Sequence, residues 1–217
     1  MGAALPDDDA LDAPAAAIAR LLGAPIDRQP HRWERLKSGS SAIGTVRRAQ
    51  TAVLCVPART VPAAMRSAIP PLRTVLVPTD FSEIANAAIP YGYSLLRGTG
   101  GTVELCHVHE GHLSTPVHVY GNQDRLSPEQ TRELETRLRA LVPPESEGLG
   151  ITTRLTVIDG GAAAEAILQA AQRLGADAIT LGSHGRSGLA RTVMGSVAET
   201  VLRGSDKPVF VVRPRGR

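Results

Sequence analysis

At 217 residues, with 42% apolar side chains and a formal net charge of +3, the chain can bury one full domain and a smaller appendage, but nothing larger. No run approaches the roughly 18 to 20 apolar residues of a membrane span, and "MGAALPDDDALDAP" puts acids where a secretory signal needs a basic start, so a cytoplasmic protein without membrane contact is expected. Arginine is scattered and aromatics are 3% of the chain, which argues against a nucleic-acid surface of clustered cations and stacking rings.

The first seventy residues behave differently from the rest, and within them stand residues 39–59, "GSSAIGTVRRAQTAVLCVPAR". Shifted by 156 positions, this stretch meets residues 195–215 without a gap. Gly39, Ser40, Ala42, Arg47, Val53, Val56 and Arg59 then fall on Gly195, Ser196, Ala198, Arg203, Val209, Val212 and Arg215. Residues 1–70 are therefore read as a partial, degenerate copy of a unit that is complete in 71–217; the alternative is two unrelated helix–strand pieces rich in Val and Arg. At the same offset Ile26 replaces Gly182 and Gln29 replaces Gly185, and the front of the first copy has no counterpart, so this copy is expected not to bind a ligand. Either the fragment persists because "TAVLCVPA" covers the edge of the last strand, or the natural chain starts about 80 residues further upstream.

From Arg73 short β-branched runs alternate with Ala/Leu-rich amphipathic stretches, the pattern of a β-α-β fold. "RTVLVPT" (73–79) reads as a strand buried on both faces, and 82–98 as a helix capped by Ser82, kinked at Pro90 and stopped at Gly98. "TVELCHVH" (102–109) is the second strand, followed by a loop. Ser127, Pro128 and Gln130 form a capping-box start for a helix to about Leu141, which "PPESEG" breaks. "GITTRLTVID", "GAAAEAILQAAQRLG" and "ADAITLG" supply strand, helix and strand; a helix over Ser196 to Arg203 and the strand "KPVFVVRP" close the unit. Strict alternation with right-handed crossovers gives an α/β fold: an open five-stranded parallel sheet with helices on both faces, Rossmann-like. Cys55 and Cys106 lie singly within apolar runs and are read as reduced, buried thiols.

Between the fourth strand and the last helix stands "GSHGRSGLARTVMGS", residues 182–196, with glycines at 182, 185, 188 and 195. Gly182 and Gly185 give the backbone freedom to approach an anion, and Gly195 with Ser196 opens a helix whose free N–H groups and dipole favour negative charge. The same glycines would equally serve tight turns and a helix cap. Asp80 emerges at the same sheet edge, either to accept from a ribose hydroxyl or adenine amino group or to cap the next helix with Ser82.

"VLVPTDFSE", "ELCHVHE" and "ADAITLGSHGRSGLARTVMGSVAETVLRGSDKPVFVVRP", at their spacing, resemble the ATP-binding branch of the universal stress proteins over residues 73–214. The resemblance implies ATP bound without a Walker lysine, with Mg²⁺ or Mn²⁺ through its phosphates. It implies Thr79 and Asp80 near adenine and ribose and the backbone of Val108 on adenine. Gly182, Ser183, Gly185, Gly195, Ser196 and Val197 would then surround ribose and phosphates. His184 and Arg186, in the loop, either touch phosphate or stand in solvent. The resemblance also implies pairing through the last strand, Val209 to Val212, as a homodimer or as an intramolecular pseudo-dimer.

No catalytic residue is assigned: the chain lacks GxxxxGK[ST] and a placed base. The expected function is a nucleotide-binding stress-response module. The alternatives are a slow ATPase or self-phosphorylating protein, with Ser183, Ser187 or Ser196 as acceptor, and a nucleotide-free scaffold pairing through its edge strand. His107, His109, His112 and His118 raise a metal site, against which exposed loop histidines and one packed strand histidine are the simpler reading.

Overall fold

The computed structural model describes residues 43, 44, 46, 47, 49, 52–57, 72–110, 125–184 and 194–213. Residues 43, 44, 46 and 47 are helical and lead to strand β1, Val53–Cys55. There follow β2 (Thr74–Pro78), α1 (Glu83–Asn86), α2 (Ile89–Ser94), β3 (Gly101–His109), α3 (Pro128–Arg139), a 3₁₀ turn (Pro144–Leu149), β4 (Ile151–Asp159), α4 (Ala163–Arg173), β5 (Ala178–Gly182), α5 (Ser196–Gly204) and β6 (Val209–Val212).

One six-stranded sheet has the order β1-β6-β5-β2-β3-β4. The pairs from β6 to β4 are all parallel, as the alternating pattern requires. Only β1 runs antiparallel, on β6, with Val53, Leu54 and Cys55 opposite Val211, Phe210 and Val209. The fragment that the repeat singled out does cover the edge of the last strand.

β5 is buried at every residue and β2 at all but its first, because helices pack on both faces. One face carries Leu76, Ile179, Val209 and Val211 against Ile167 and Ala171 of α4, Ala198 and Val201 of α5, and Ile43 and Val46. The other carries Val75, Val77, Val103 and Leu105 against Ile89 and Tyr93 of α2 and Leu138 of α3.

Sequence expectation and structure part at Pro90. The expected kinked helix is two short helices: α1 ends at Asn86, a turn follows, and α2 starts at Ile89 with Pro90 in its first turn. Proline lacks the N–H that an interior position must donate, while a first-turn position has no such partner to lose, so the chain restarts its helix there. The capping box at Ser127 is present with both reciprocal bonds, and Ser82 accepts from the Ala85 N–H as a cap. α3 ends two residues short of Leu141, and "PPESEG" forms the 3₁₀ turn rather than open loop.

Candidate functional site

The strand order reverses direction between β2 and β5: β2 leads outward to β3 and β4, whereas β5 leads the other way to β6. At such a point the two outgoing loops part beyond the carboxyl ends of the strands and leave a crevice. The loop after β2 carries Thr79 and Asp80, and the loop after β5 carries Ser183 and His184.

The first loop is held by its own short side chains. The Thr79 hydroxyl accepts from the Phe81 N–H at 2.9 Å and lies 2.7 Å from Asn86 Oδ1, to which it donates. Asp80 Oδ1 accepts from the Ser82 N–H at 2.9 Å. This bracing keeps Phe81 at φ 66°, a left-handed conformation that a bulky side chain rarely adopts. The Phe81 ring centroid lies 4.5 Å from that of the His107 ring, and the Arg137 guanidinium carbon sits 3.9 Å from the Phe81 ring centroid. His107, 6% exposed, places Nδ1 2.8 Å from the Thr79 carbonyl. A carbonyl only accepts, so Nδ1 carries the proton. His107 is the packed strand histidine of the simpler reading, and it fixes the turn that presents Asp80. Phe81, Asn86 and Arg137 were not singled out, and nothing in "TDFSE" announces a positive φ.

Asp80 therefore does part of the capping work and keeps a half-buried carboxylate at the crevice. Val108 is half-buried on β3. The Cys106 carbonyl points toward β2, where it accepts from Thr79 N–H, and the His109 carbonyl points toward β4, where it accepts from Gly160 N–H. Backbone groups alternate sides along a strand, so Val108 N–H and C=O face the β2 side, beyond the last residue of β2.

At the second loop, Gly182 departs from expectation. It lies inside β5, its φ is outside the left-handed region, and a Cβ there would stand 2.6 Å from the Ile84 carbonyl oxygen and 2.9 Å from Ala85 Cα. Its missing side chain lets α1 lie on β5, so free loop dihedrals are not what glycine supplies at this position. Ser183 is 1% exposed; its N–H donates to the Val212 carbonyl and its carbonyl accepts from the Gly195 N–H at 2.8 Å. That last bond closes the neck of the 183–195 loop and brings the start of α5 back to the end of β5.

The Ser183 hydroxyl lies 2.9 Å from His184 Nδ1, while His184 Nε2 is buried with no hydrogen-bond partner among the described residues. Burial, and secondarily the charge of Arg213, holds the His184 imidazole below its ordinary value, so neutral imidazole is favoured. α5 begins with Gly195 as N-cap and no side-chain cap bond, and Ser196 and Val197 are exposed. Among the described residues its first N–H groups thus have no side-chain acceptor. Gly185, Arg186, Ser187, His112 and His118 lie outside the described residues. Among the described residues no group of three or more His, Cys, Asp or Glu side chains could hold a metal, and no helix is long and apolar enough to cross a membrane.

The family model described as "Universal stress protein family" matches residues 71–213. Universal stress protein MJ0577 of Methanocaldococcus jannaschii is 29% identical over 159 residues, spanning 65% of this chain and 94% of that protein. Its solved structure superposes with a TM-score of 0.58 at 30% identity, over 68% of this chain and all of the other. Universal stress protein G of Escherichia coli O157:H7 is 28% identical over 145 residues, 65% of this chain and 99% of its own. A universal stress protein structure from Archaeoglobus fulgidus DSM 4304 superposes over 84% of this chain and 56% of its own, with a TM-score of 0.53 at 25% identity.

Proposed function

The chain belongs to the universal stress protein family, and from that premise we propose that it is an adenine-nucleotide-binding regulatory module taking ATP in the crevice between the loops after β2 and β5. The observation that carries the reading is the open start of α5. Its N-terminal N–H groups have no side-chain cap, its first residues are exposed, and the Gly195–Ser183 bond holds it at the point where the strand order reverses. Helix-start N–H groups and the positive end of a helix dipole suit a phosphate.

The remaining parts fit the same ligand. Asp80 offers a carboxylate to ribose hydroxyls or the adenine amino group, and the N–H and C=O of Val108 offer one donor and one acceptor to an adenine edge. Thr79 supports Asp80 through the backbone. Gly182 lets α1 and β5 approach, which narrows the crevice. Gly185, Arg186, Ser196, Val197 and His184 Nε2 complete the phosphate end. Mg²⁺ or Mn²⁺ would arrive with the phosphates and neutralise part of their charge. The sequence has no GxxxxGK[ST] and so no P-loop lysine for the β- and γ-phosphates, which favours sensing over turnover. Binding would report nucleotide level in the cytoplasm.

The test is native mass spectrometry of the freshly purified chain, repeated after denaturation, with calorimetric titration of ATP in the presence and absence of Mg²⁺. One adenine nucleotide per chain, or saturable binding of one ATP, is expected. A chain that arrives empty and gives no heat with ATP overturns the proposal.

A further inference from the structure

Arg213 follows β6 at the carboxyl edge of the sheet, beside the loop that carries His184. Gly182 pairs with Val212 in the parallel register of β5 and β6, and the Ser183 N–H donates to the Val212 carbonyl at 2.9 Å. Residues 183 and 184 therefore leave the sheet alongside Arg213, at the edge where the Gly195–Ser183 bond also brings the start of α5. Burial first, and the Arg213 charge second, hold the His184 imidazole below its ordinary value, so the field of this cation reaches the phosphate end of the crevice.

What places the guanidinium comes from the other end of the chain. Arg213 Nη1 donates to the carbonyls of Val46, Arg47 and Ala49, where the N-terminal helical stretch runs out. An arginine at a strand end otherwise samples many rotamers, and three main-chain acceptors confine it. These acceptors are neutral, so the bonds hold the cation in place without cancelling it. The same stretch lies against the first turn of α5. Ile43 packs in the cluster that holds Ala198 and Val201, and the Arg47 side chain reaches Glu199 at 2.9 Å. Glu199 is the acid of that first turn and would oppose an anion there; Arg47 from the fragment and Arg203, at 2.7 Å, both pair with it. Taking the crevice as a nucleotide site, we infer that residues 43–49 are a working part of it: they hold Arg213 as the cation of the phosphate end, and the chain thereby prefers nucleotides with a polyphosphate to the bare nucleoside. The charge that a lysine brings in a P-loop, absent from this sequence, is then supplied by Arg213.

Calorimetric titration of the full chain and of Arg213→Gln with ATP and with adenosine tests the assignment. Gln keeps an N–H to offer the carbonyls but carries no charge. ATP is expected to bind the variant about tenfold more weakly, the change one charge-assisted bond makes, while adenosine, which has no phosphate, changes less than about twofold. Arg213→Lys, which keeps the charge, is expected to recover most of the ATP preference. Equal losses for the two ligands would mean that Arg213 only braces the fold, and unchanged affinities would mean that it stands clear of the phosphates; each overturns the inference and leaves the nucleotide reading in place. A parent chain that binds neither ligand removes both.

Two further measurements separate the placement of Arg213 from the part played by the fragment. The first needs no ligand: the NMR titration of the His184 ring, assigned with His184→Asn, is expected to move to higher pH in Arg213→Gln, and an unmoved midpoint overturns the placement. The second leaves Arg213 intact. Ile43→Glu sets a carboxylate in the apolar contact with α5, and its release of the fragment is read as faster tryptic cleavage after Arg47. The released chain is expected to lose the ATP preference as Arg213→Gln does. A released fragment with the preference undiminished overturns the inference.

Discussion

A Cβ built on Gly182 would meet the carbonyl oxygen of Ile84 at 2.6 Å, closer than real side chains approach backbone. The end of β5 and the first turn after β2 are thus in backbone contact, and the two walls of the candidate crevice are set by one missing side chain. Gly182→Ala is expected to push α1 off β5 and cost about 1–3 kcal/mol, the range for overpacking a tight interior. Urea unfolding with an unchanged slope and a lower midpoint checks it. An unaltered midpoint would mean that the two segments part without cost.

Asp80 braces its turn and, in the proposed function, offers a carboxylate to the nucleotide; two substitutions separate the two. Asp80→Asn keeps an Oδ1 to accept from the Ser82 N–H, whereas Asp80→Ala removes it. Both should weaken ATP binding about tenfold, the equivalent of one charge-assisted bond of about 1.5 kcal/mol, but only the alanine variant should also lose thermal stability. Calorimetry for affinity and thermal melts for stability give the two readouts. An asparagine variant with undiminished affinity would remove the carboxylate from the nucleotide site.

Two arginines tie the N-terminal fragment to the domain, and their surroundings rank them. Arg213 donates to three carbonyls, of Val46, Arg47 and Ala49, whereas Arg47 makes an ion pair to Glu199 with its own side chain 45% exposed. Arg213→Ala should cost about 1–3 kcal/mol because charged donors are lost from main-chain acceptors; Arg47→Ala should cost at most about 1 kcal/mol. Denaturant midpoints of the two variants, measured side by side, decide whether that order holds.

Burial and the Arg213 charge hold His184 below its ordinary value of 6.5. Between the folded and unfolded values the unfolded chain binds more protons, so stability rises with pH in that window. The contribution is complete above pH 6.5 and is lost as pH falls toward the depressed folded value. His184→Asn should flatten the rise of stability with pH below about 6.5. Parallel slopes in the two proteins would show that the imidazole is not shielded.

Both thiols should be inert in the native state. Burial pushes Cys55 from 9.0 up to about 11, and burial, with the Glu104 charge second, pushes Cys106 up to about 12. Two units at Cys55 cut the thiolate fraction about a hundredfold, and the thiolate is the reactive form. A disulfide reagent at pH 8 should label neither cysteine in buffer and both in denaturant. Rapid labelling of Cys55 alone would indicate that β1 leaves the edge readily.

The parallel sheet was legible because its cause is local. β-branched runs such as "RTVLVPT", alternating with amphipathic stretches, bury two faces only when crossovers place helices on both sides, and the cap at Ser82 and the capping box at Ser127 mark where two of those helices start. The offset repeat likewise marked residues 39–59 as a helix–strand unit suited to the β6 edge. Less legible were contacts made across the fold. His107 and Thr79 are 28 residues apart, and only the pairing of β2 with β3 brings the ring nitrogen to the carbonyl. Phe81 takes a positive φ because Thr79, Asp80 and Asn86 brace it together, a cooperative arrangement that no single residue announces.

By itself, then, the sequence determined the order of elements, the glycine-marked loop before the last helix and a helix–strand stretch ahead of the domain that resembles its last helix and strand, since periodicity, caps and repeats are written in neighbouring residues. Tertiary structure decided which glycine is needed for packing, which face of the β3 backbone opens on the crevice, and that Leu54 meets Phe210. Those outcomes depend on strand order and register, which are settled when distant segments compete to bury the same surface and satisfy the same backbone groups.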